Sequence, residues 1–102
     1  MSCTIRISEE QTSFRDVTVN GKKHTQTIET LTEIVLVPFG IDIANFTDEL
    51  EKLCDDSYIN HTDCGFEGEI VGTTLTGLIE KYGLIQLGEI CEDDYYKVLV
   101  SW

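Results

Sequence analysis

The chain has 102 residues, of which 41% are hydrophobic and nine are aromatic, so it can form one folded domain and is too apolar for a disordered acidic tail. Its formal net charge is −12, and residues 42–102 account for −11 of it, with fourteen acids against three bases. A surface this negative repels nucleic acid and anionic membranes and attracts basic protein surfaces. The composition therefore argues against direct contact with nucleic acid or membrane.

Two features predict a cytoplasmic protein. Residues 1–6 lack the basic and then apolar run of a signal peptide. The longest apolar stretch, residues 34–37, is far shorter than the roughly 18 residues of a transmembrane helix. In a reducing compartment the four cysteines are expected to be thiols or metal ligands rather than disulfides.

The first forty residues favour β-structure. Cys3, Ile5 and Ile7 alternate with polar residues, which predicts a half-buried strand. Asn20-Gly21 predicts a hairpin turn between strands over residues 14–19 and 22–29, and the threonine-rich return strand is expected at an edge. Residues 34–37 are continuously apolar, which is typical of a central strand covered on both faces.

Two helices are predicted in the remainder. The first is capped by Asn45 or Thr47, has Asp48 and Glu49 in its first turn, and has an apolar stripe that includes Leu53. Residues 55–65 favour a polar loop and residues 66–71 a short strand. The second helix is capped by Thr74 and ended by Gly83.

A short strand over residues 84–87 and a last strand over residues 95–102 complete the prediction. Tyr96, Val98, Val100 and Trp102 share the expected buried face of the last strand. We thus expect one α+β domain over residues 1–102, with an antiparallel or mixed sheet, an N-terminal hairpin region and two helices. The threonine-rich strand and the last strand are both candidate edges for pairing between protomers, so a monomer and a homodimer stay open.

Acidic residues supply the first candidate site, a surface for a basic partner. An aromatic side chain among carboxylates, Tyr58, is its candidate anchor. The loop over residues 92–94 joins this surface only if the fold brings it near. The candidate partner-binding residues are Asp55, Asp56, Tyr58, Asp63, Glu67, Glu69, Glu92, Asp93 and Asp94.

A second candidate site is a structural zinc site formed by Cys54, His61, Cys64 and Cys91, which match a Cys₃His ligand set. Their spacing lacks a Cys-x-x-Cys pair, and Cys54 also completes an apolar helix stripe, so unmetallated thiols are the alternative. Cys64 with His61 could act as nucleophile and base, but no recognised catalytic motif is present. We expect a protein that is not an enzyme.

The size, charge and lack of catalytic motifs resemble those of phage anti-defence proteins and of immunity proteins that neutralise nuclease toxins. The first hypothesis is a non-enzymatic acidic inhibitor that mimics nucleic acid and occludes a basic nuclease or nucleic-acid-binding protein. The alternative is a small structural interaction module, with or without a stabilising zinc ion, in which acidity serves solubility alone.

Overall fold

The computed structural model describes residues 3–102 and has two helices and six strands within them. The helices are α1 (Ile43–Leu53) and α2 (Gly72–Tyr82); the strands are β1 (Thr4–Val19), β2 (Lys22–Leu36), β3 (Asn60–Thr62), β4 (Gly65–Val71), β5 (Ile85–Gln86) and β6 (Tyr95–Ser101). All pairs are antiparallel and form one curled sheet in the order β3-β4-β6-β1-β2-β5. This confirms the predicted α+β class with an N-terminal hairpin and two helices. Met1 and Ser2, the first residues of the segment considered for a signal peptide, lie outside the described residues.

The hydrophobic core lies between one face of the sheet and the two helices. Phe46 and Leu50 of α1 and Leu75 of α2 are fully buried, and they belong to one cluster with Val98 and Val100 of β6. Alternate residues of a strand point to opposite faces. Both helices pack on the face that carries Val98 and Val100. Within residues 3–102 no helix packs on the opposite face, which we call the helix-free face.

Strand β6 is in the middle of the sheet, between β4 and β1. The last strand was a candidate for a free edge, but both of its edges are paired. Trp102 lies beyond the strand and is half exposed, with its ring 6.4 Å from the ring of Phe66. It is therefore not part of the buried face that its parity predicted.

The β1–β2 hairpin extends well beyond the body of the protein. Asn20 (φ 53°) and Gly21 (φ 77°) form its turn, and positive φ at both positions is the requirement of a type I′ turn. Strand β6 pairs with β1 only as far as Ser8. Residues 9–33, here called the hairpin arm, extend roughly 35 Å at the usual rise of a strand, and the molecule measures 56 × 31 × 27 Å.

Residues 34–37 were predicted to form a central strand covered on both faces, and this prediction was wrong. A β-bulge lies in this stretch, at the base of the arm. Ile7 pairs with Val35 while Ser8 pairs with Glu33, so Ile34 is an extra residue on β2. The bulge brings two consecutive side chains, Ile34 and Val35, into the core. Leu36 is exposed, so this strand is not covered on both faces.

The helix starts also differ from prediction. Asp42, not Asn45 or Thr47, caps α1, and its Oδ1 accepts from the Asn45 backbone N–H at 3.2 Å. This places Asp48 and Glu49 beyond the first turn. Helix α2 starts at Gly72, two residues before Thr74, and has no side-chain cap, whereas Gly83 ends it in the left-handed conformation as predicted.

Two smaller differences concern α1 and the loop that follows it. Leu53, predicted in the apolar stripe of α1, is largely exposed. The loop over residues 55–65 contains the short strand β3, which pairs with the start of β4.

Candidate functional site

A groove of about 680 Å³ lies on the helix-free face. The curl of the sheet forms it, because the base of the hairpin arm stands on one side and the loop before β3 stands on the other. We call it the acidic groove. Its lining residues are Glu10, Glu29, Leu31, Ser57, Tyr58, Asn60, Glu67, Gly68, Glu69, Lys97, Val98 and Leu99.

Carboxylates dominate the charge of the acidic groove. Its one base, Lys97, has its Nζ 3.4 Å from Glu10 Oε2 and 3.4 Å from Glu69 Oε1. Desolvation opposes the charged ammonium, but the hydrogen bonds and charges of these two carboxylates outweigh it and raise the pKa of Lys97. Glu29 and Glu67 have no ion-pair partner among residues 3–102, so the groove keeps a net negative charge.

Strand β4 supplies the groove with carboxylates because it alternates strictly. Phe66 and Ile70 enter the core, while Glu67 and Glu69 point to the helix-free face. Gly68 allows β4 to approach the end of α1, since a Cβ at this position would lie 3.3 Å from the Cβ and Sγ of Cys54. The lack of a side chain at Gly68 thus permits close packing of β4 against Cys54.

The loop before β3 holds Tyr58 at the rim of the groove. The Asp55 backbone N–H donates to Glu69 O at 2.9 Å, which fixes the loop to the free edge of β4. Asp55 Oδ1 accepts from the Ser57 N–H at 2.9 Å, and Asp55 O accepts from the Tyr58 N–H at 3.0 Å. Asp55 therefore organises the turn, and the Tyr58 side chain stays 60% exposed.

The structure separates the acidic residues that the sequence grouped. Tyr58, Glu67 and Glu69 line the groove, and Asp55 and Asp56 lie in the loop beside it. Asp63 lies in the turn before β4. The loop of Glu92, Asp93 and Asp94 lies at the opposite end of β4, where Asp94 O accepts from the Gly72 N–H at 2.8 Å. The two ends of the seven-residue β4 are about 20 Å apart, so the acids do not form one continuous rim.

Sequence reasoning missed the part of the groove that comes from the hairpin arm and β6. Glu10, Glu29 and Leu31 reach the groove because the arm pairs in register back to the body. Lys97 and Leu99 were correctly placed on the face opposite Val98, but no signal in the sequence connected that face with β4.

The predicted zinc ligands are not brought together. Within residues 3–102, no three His, Cys, Asp or Glu side chains are grouped so that they could hold a metal ion. Cys54 is buried, and burial raises the pKa of its thiol to about 11. His61 Nε2 lies 2.8 Å from Glu51 Oε1 of α1, while Cys64 and Cys91 are exposed. The charge of Asp94 raises the pKa of Cys91.

No family model matches the chain, and comparisons with curated proteins and with solved structures found no similar protein. In the portion that the structure describes, neither helix is long and apolar enough to cross a membrane.

Proposed function

We propose that the protein is a non-enzymatic acidic binding protein that occupies the basic nucleic-acid-binding surface of another protein. The observation that carries the proposal is the acidic groove, in which four glutamates from three strands face one lysine that is already paired. The predicted partner is a nuclease or a nucleic-acid-binding complex of the kind that anti-defence and immunity proteins neutralise.

Lysine and arginine side chains of such a partner would enter the groove and pair with its carboxylates. Charge pairs in a partly enclosed groove are less screened by solvent than pairs on a convex surface. Glu29 and Glu67 are the best placed for this role, because neither has a cation to release among the described residues. Tyr58 adds an aromatic contact at the rim, and tyrosine is enriched among residues that dominate binding energy.

Electrostatic attraction also favours fast association. A one-sided negative field raises the rate of encounter with a basic surface, and this rate falls steeply as salt rises. The mechanism would be occlusion. The bound protein would cover the nucleic-acid-binding surface of its partner, fill the space that nucleic acid needs and repel the phosphate backbone.

Affinity capture with a matched pair of variants tests the proposal. Asp56→Lys with Glu67→Lys changes the net charge by +4 at the groove, and neither side chain makes a hydrogen bond or ion pair within residues 3–102. Glu80→Lys with Glu89→Lys makes the same change at exposed positions outside the groove. We expect the wild type and the control to retain, from host lysate, a basic protein that added DNA or RNA releases.

The groove variant should lose that protein. Equal capture by the groove variant and the control would contradict the assignment of the site. A captured protein that nucleic acid does not displace would contradict occlusion as the mechanism.

A further inference from the structure

The hairpin arm has an open strand edge. β5 pairs with β2 only at Val35 and Leu36, and Ile34 O accepts from the Leu87 N–H at 2.7 Å. From Lys22 to Glu33, no strand in the described chain pairs with this edge of β2. Such an edge accepts another strand unless proline, a bulge, charge or a covering loop blocks it. Residues 22–33 contain no proline, and the bulge lies at Ile34, beyond this stretch.

The charges along this edge complement those of a second copy. Residues 22–33 carry two bases and two acids, so the edge is neutral in a chain of net charge −12. Lys22 and Lys23 lie at one end, while Glu29 and Glu33 lie at the other. Antiparallel pairing of two identical edges therefore brings the bases of each copy to the acids of the other.

We propose that two copies of the chain pair through this edge of β2, antiparallel and centred on Ile28. A two-fold axis between antiparallel strands places one residue opposite its own copy. With Ile28 at the centre, Lys23 faces the partner's Glu33 on the same side of the sheet, and this contact occurs twice. The pairing uses residues 23–33 and ends before the stretch that β5 covers.

Other arrangements give fewer charge pairs or a shorter overlap. Centring on Gln26 places Lys23 opposite the partner's Glu29 but pairs only residues 22–30, because the chain turns at Asn20-Gly21. Centring on Thr27 places Lys23 opposite the partner's Leu31 and removes both direct charge pairs.

The outer edge of β1 is also open beyond Ser8. Centred on Phe14, it places Glu10 opposite the partner's Thr18 and forms no pair of opposite charges. Centred on Thr12, it places Arg15 opposite the partner's Glu9 but pairs only residues 9–15, because β6 covers β1 as far as Ser8.

Pairing would also stabilise the arm itself. An isolated two-stranded ribbon is marginally stable in water, and three or more strands with an apolar face are more stable. Arm residues Phe14 and Leu31 are 68% and 62% exposed, so packing within one copy leaves the arm largely in solvent. Two arms side by side form a four-stranded sheet.

Sedimentation velocity at physiological salt, over a range of protein concentration, tests the proposal. The wild type should reach twice its chain mass of 11.5 kDa. Lys23→Glu and Glu33→Lys should each weaken association by at least about tenfold, because each places like charges opposite one another. Lys22→Glu makes the same charge change just outside the paired residues 23–33, so it is the matched control and should still dimerise.

Mixing the two single variants shows whether they lose association through like charges at the contact or through damage to the fold. Lys23→Glu and Glu33→Lys, each weakly associating alone, should form a heterodimer when mixed, because both contacts then join opposite charges. The double variant should dimerise alone. A wild type that stays monomeric, or single variants that dimerise like the wild type, would overturn the proposal.

Cysteine cross-linking tests the register. In a Cys64→Ser, Cys91→Ser background, Ile28→Cys should form an interchain disulfide on oxidation, since directly opposite Cβ atoms are about 4.5–5.5 Å apart. Thr30→Cys faces the partner's Gln26 and should not. Cross-linking of both or of neither would refute the register. None of these changes alters Asp56 or Glu67, so this result is independent of the capture experiment.

Discussion

Gly72, where β4 passes into α2, is one of two positions, with Gly65, at which a single added methyl group would clash with backbone. A Cβ there would lie 1.9 Å from the backbone oxygen of Cys91 and 2.8 Å from its carbonyl carbon. Because the clash is with backbone, Gly72→Ala forces the loop over residues 89–94 to move. The movement breaks two hydrogen bonds, from the Gly72 N–H to Asp94 O and from the Thr73 N–H to Glu92 O.

The cost can be worked from these contacts. Overpacking of a tight site costs about 1–3 kcal/mol, and each lost hydrogen bond costs about 1 kcal/mol. The free energy of unfolding should therefore fall by about 3–5 kcal/mol, which is a large fraction of the roughly 5–15 kcal/mol typical of a domain. For a chain of this size the melting temperature should fall by roughly 15–25 °C.

Urea denaturation, followed by far-UV circular dichroism, measures the change, with Gly77→Ala as the control. Gly77 is inside α2, and nothing lies within 4 Å of the position of its Cβ. Alanine is a better helix former, so this variant should gain about 0.5–1 kcal/mol. A Gly72→Ala protein that loses less than about 1 kcal/mol of unfolding free energy would show that the loop does not press on this junction, since a clash with backbone must cost more.

Two more expectations concern titratable groups. The hydrogen bond from Lys81 lowers the pKa of Glu49 below its usual 4.5 in the folded state; the stability this contributes is present at neutral pH and is lost as pH falls through the folded value. Glu49→Gln should thus have a lower melting temperature than the wild type near neutral pH, and the difference should shrink as the pH falls below the usual pKa of 4.5. A difference in melting temperature that does not change with pH would argue against the ion pair. Iodoacetamide near neutral pH should label exposed Cys64 before buried Cys54, because the thiol of Cys54 has a pKa of about 11. Peptide mapping measures the order of labelling, and modification of Cys54 first would contradict its burial.

Local signals in the sequence were sufficient for the fold class and for most of the elements. The Asn20-Gly21 turn, the end of α2 at Gly83 and the alternation of Tyr96, Val98 and Val100 were all predicted, because each depends on residues close in the chain. The helix starts were less certain, since several side chains near residues 42–47 can cap a helix. Asp42 competes with Asn45 and Thr47, and only the backbone path decides between them.

The sheet order and most of the groove could not be predicted, because they depend on pairing between distant segments. Residues 9–13 are polar on both faces, so no periodicity showed that β1 continues through them to the turn. The groove joins Glu10 and Glu29 with Glu67 and Glu69 only because β6 inserts between β1 and β4. The sequence therefore indicated two of its four glutamates.

The central place of β6 has a consequence for the order of folding. β1 and β2 pair through a two-residue turn, so the hairpin can form early, and contacts close in sequence generally form fastest. The joining of β1 to β4 must wait for residues 95–101, because β6 is the strand that connects them. During synthesis, the hairpin and the β3–β4 segment stay separate sheets with unpaired edges until this strand emerges. β6, which follows every other strand of this sheet in the chain, is thus the one that closes the structure.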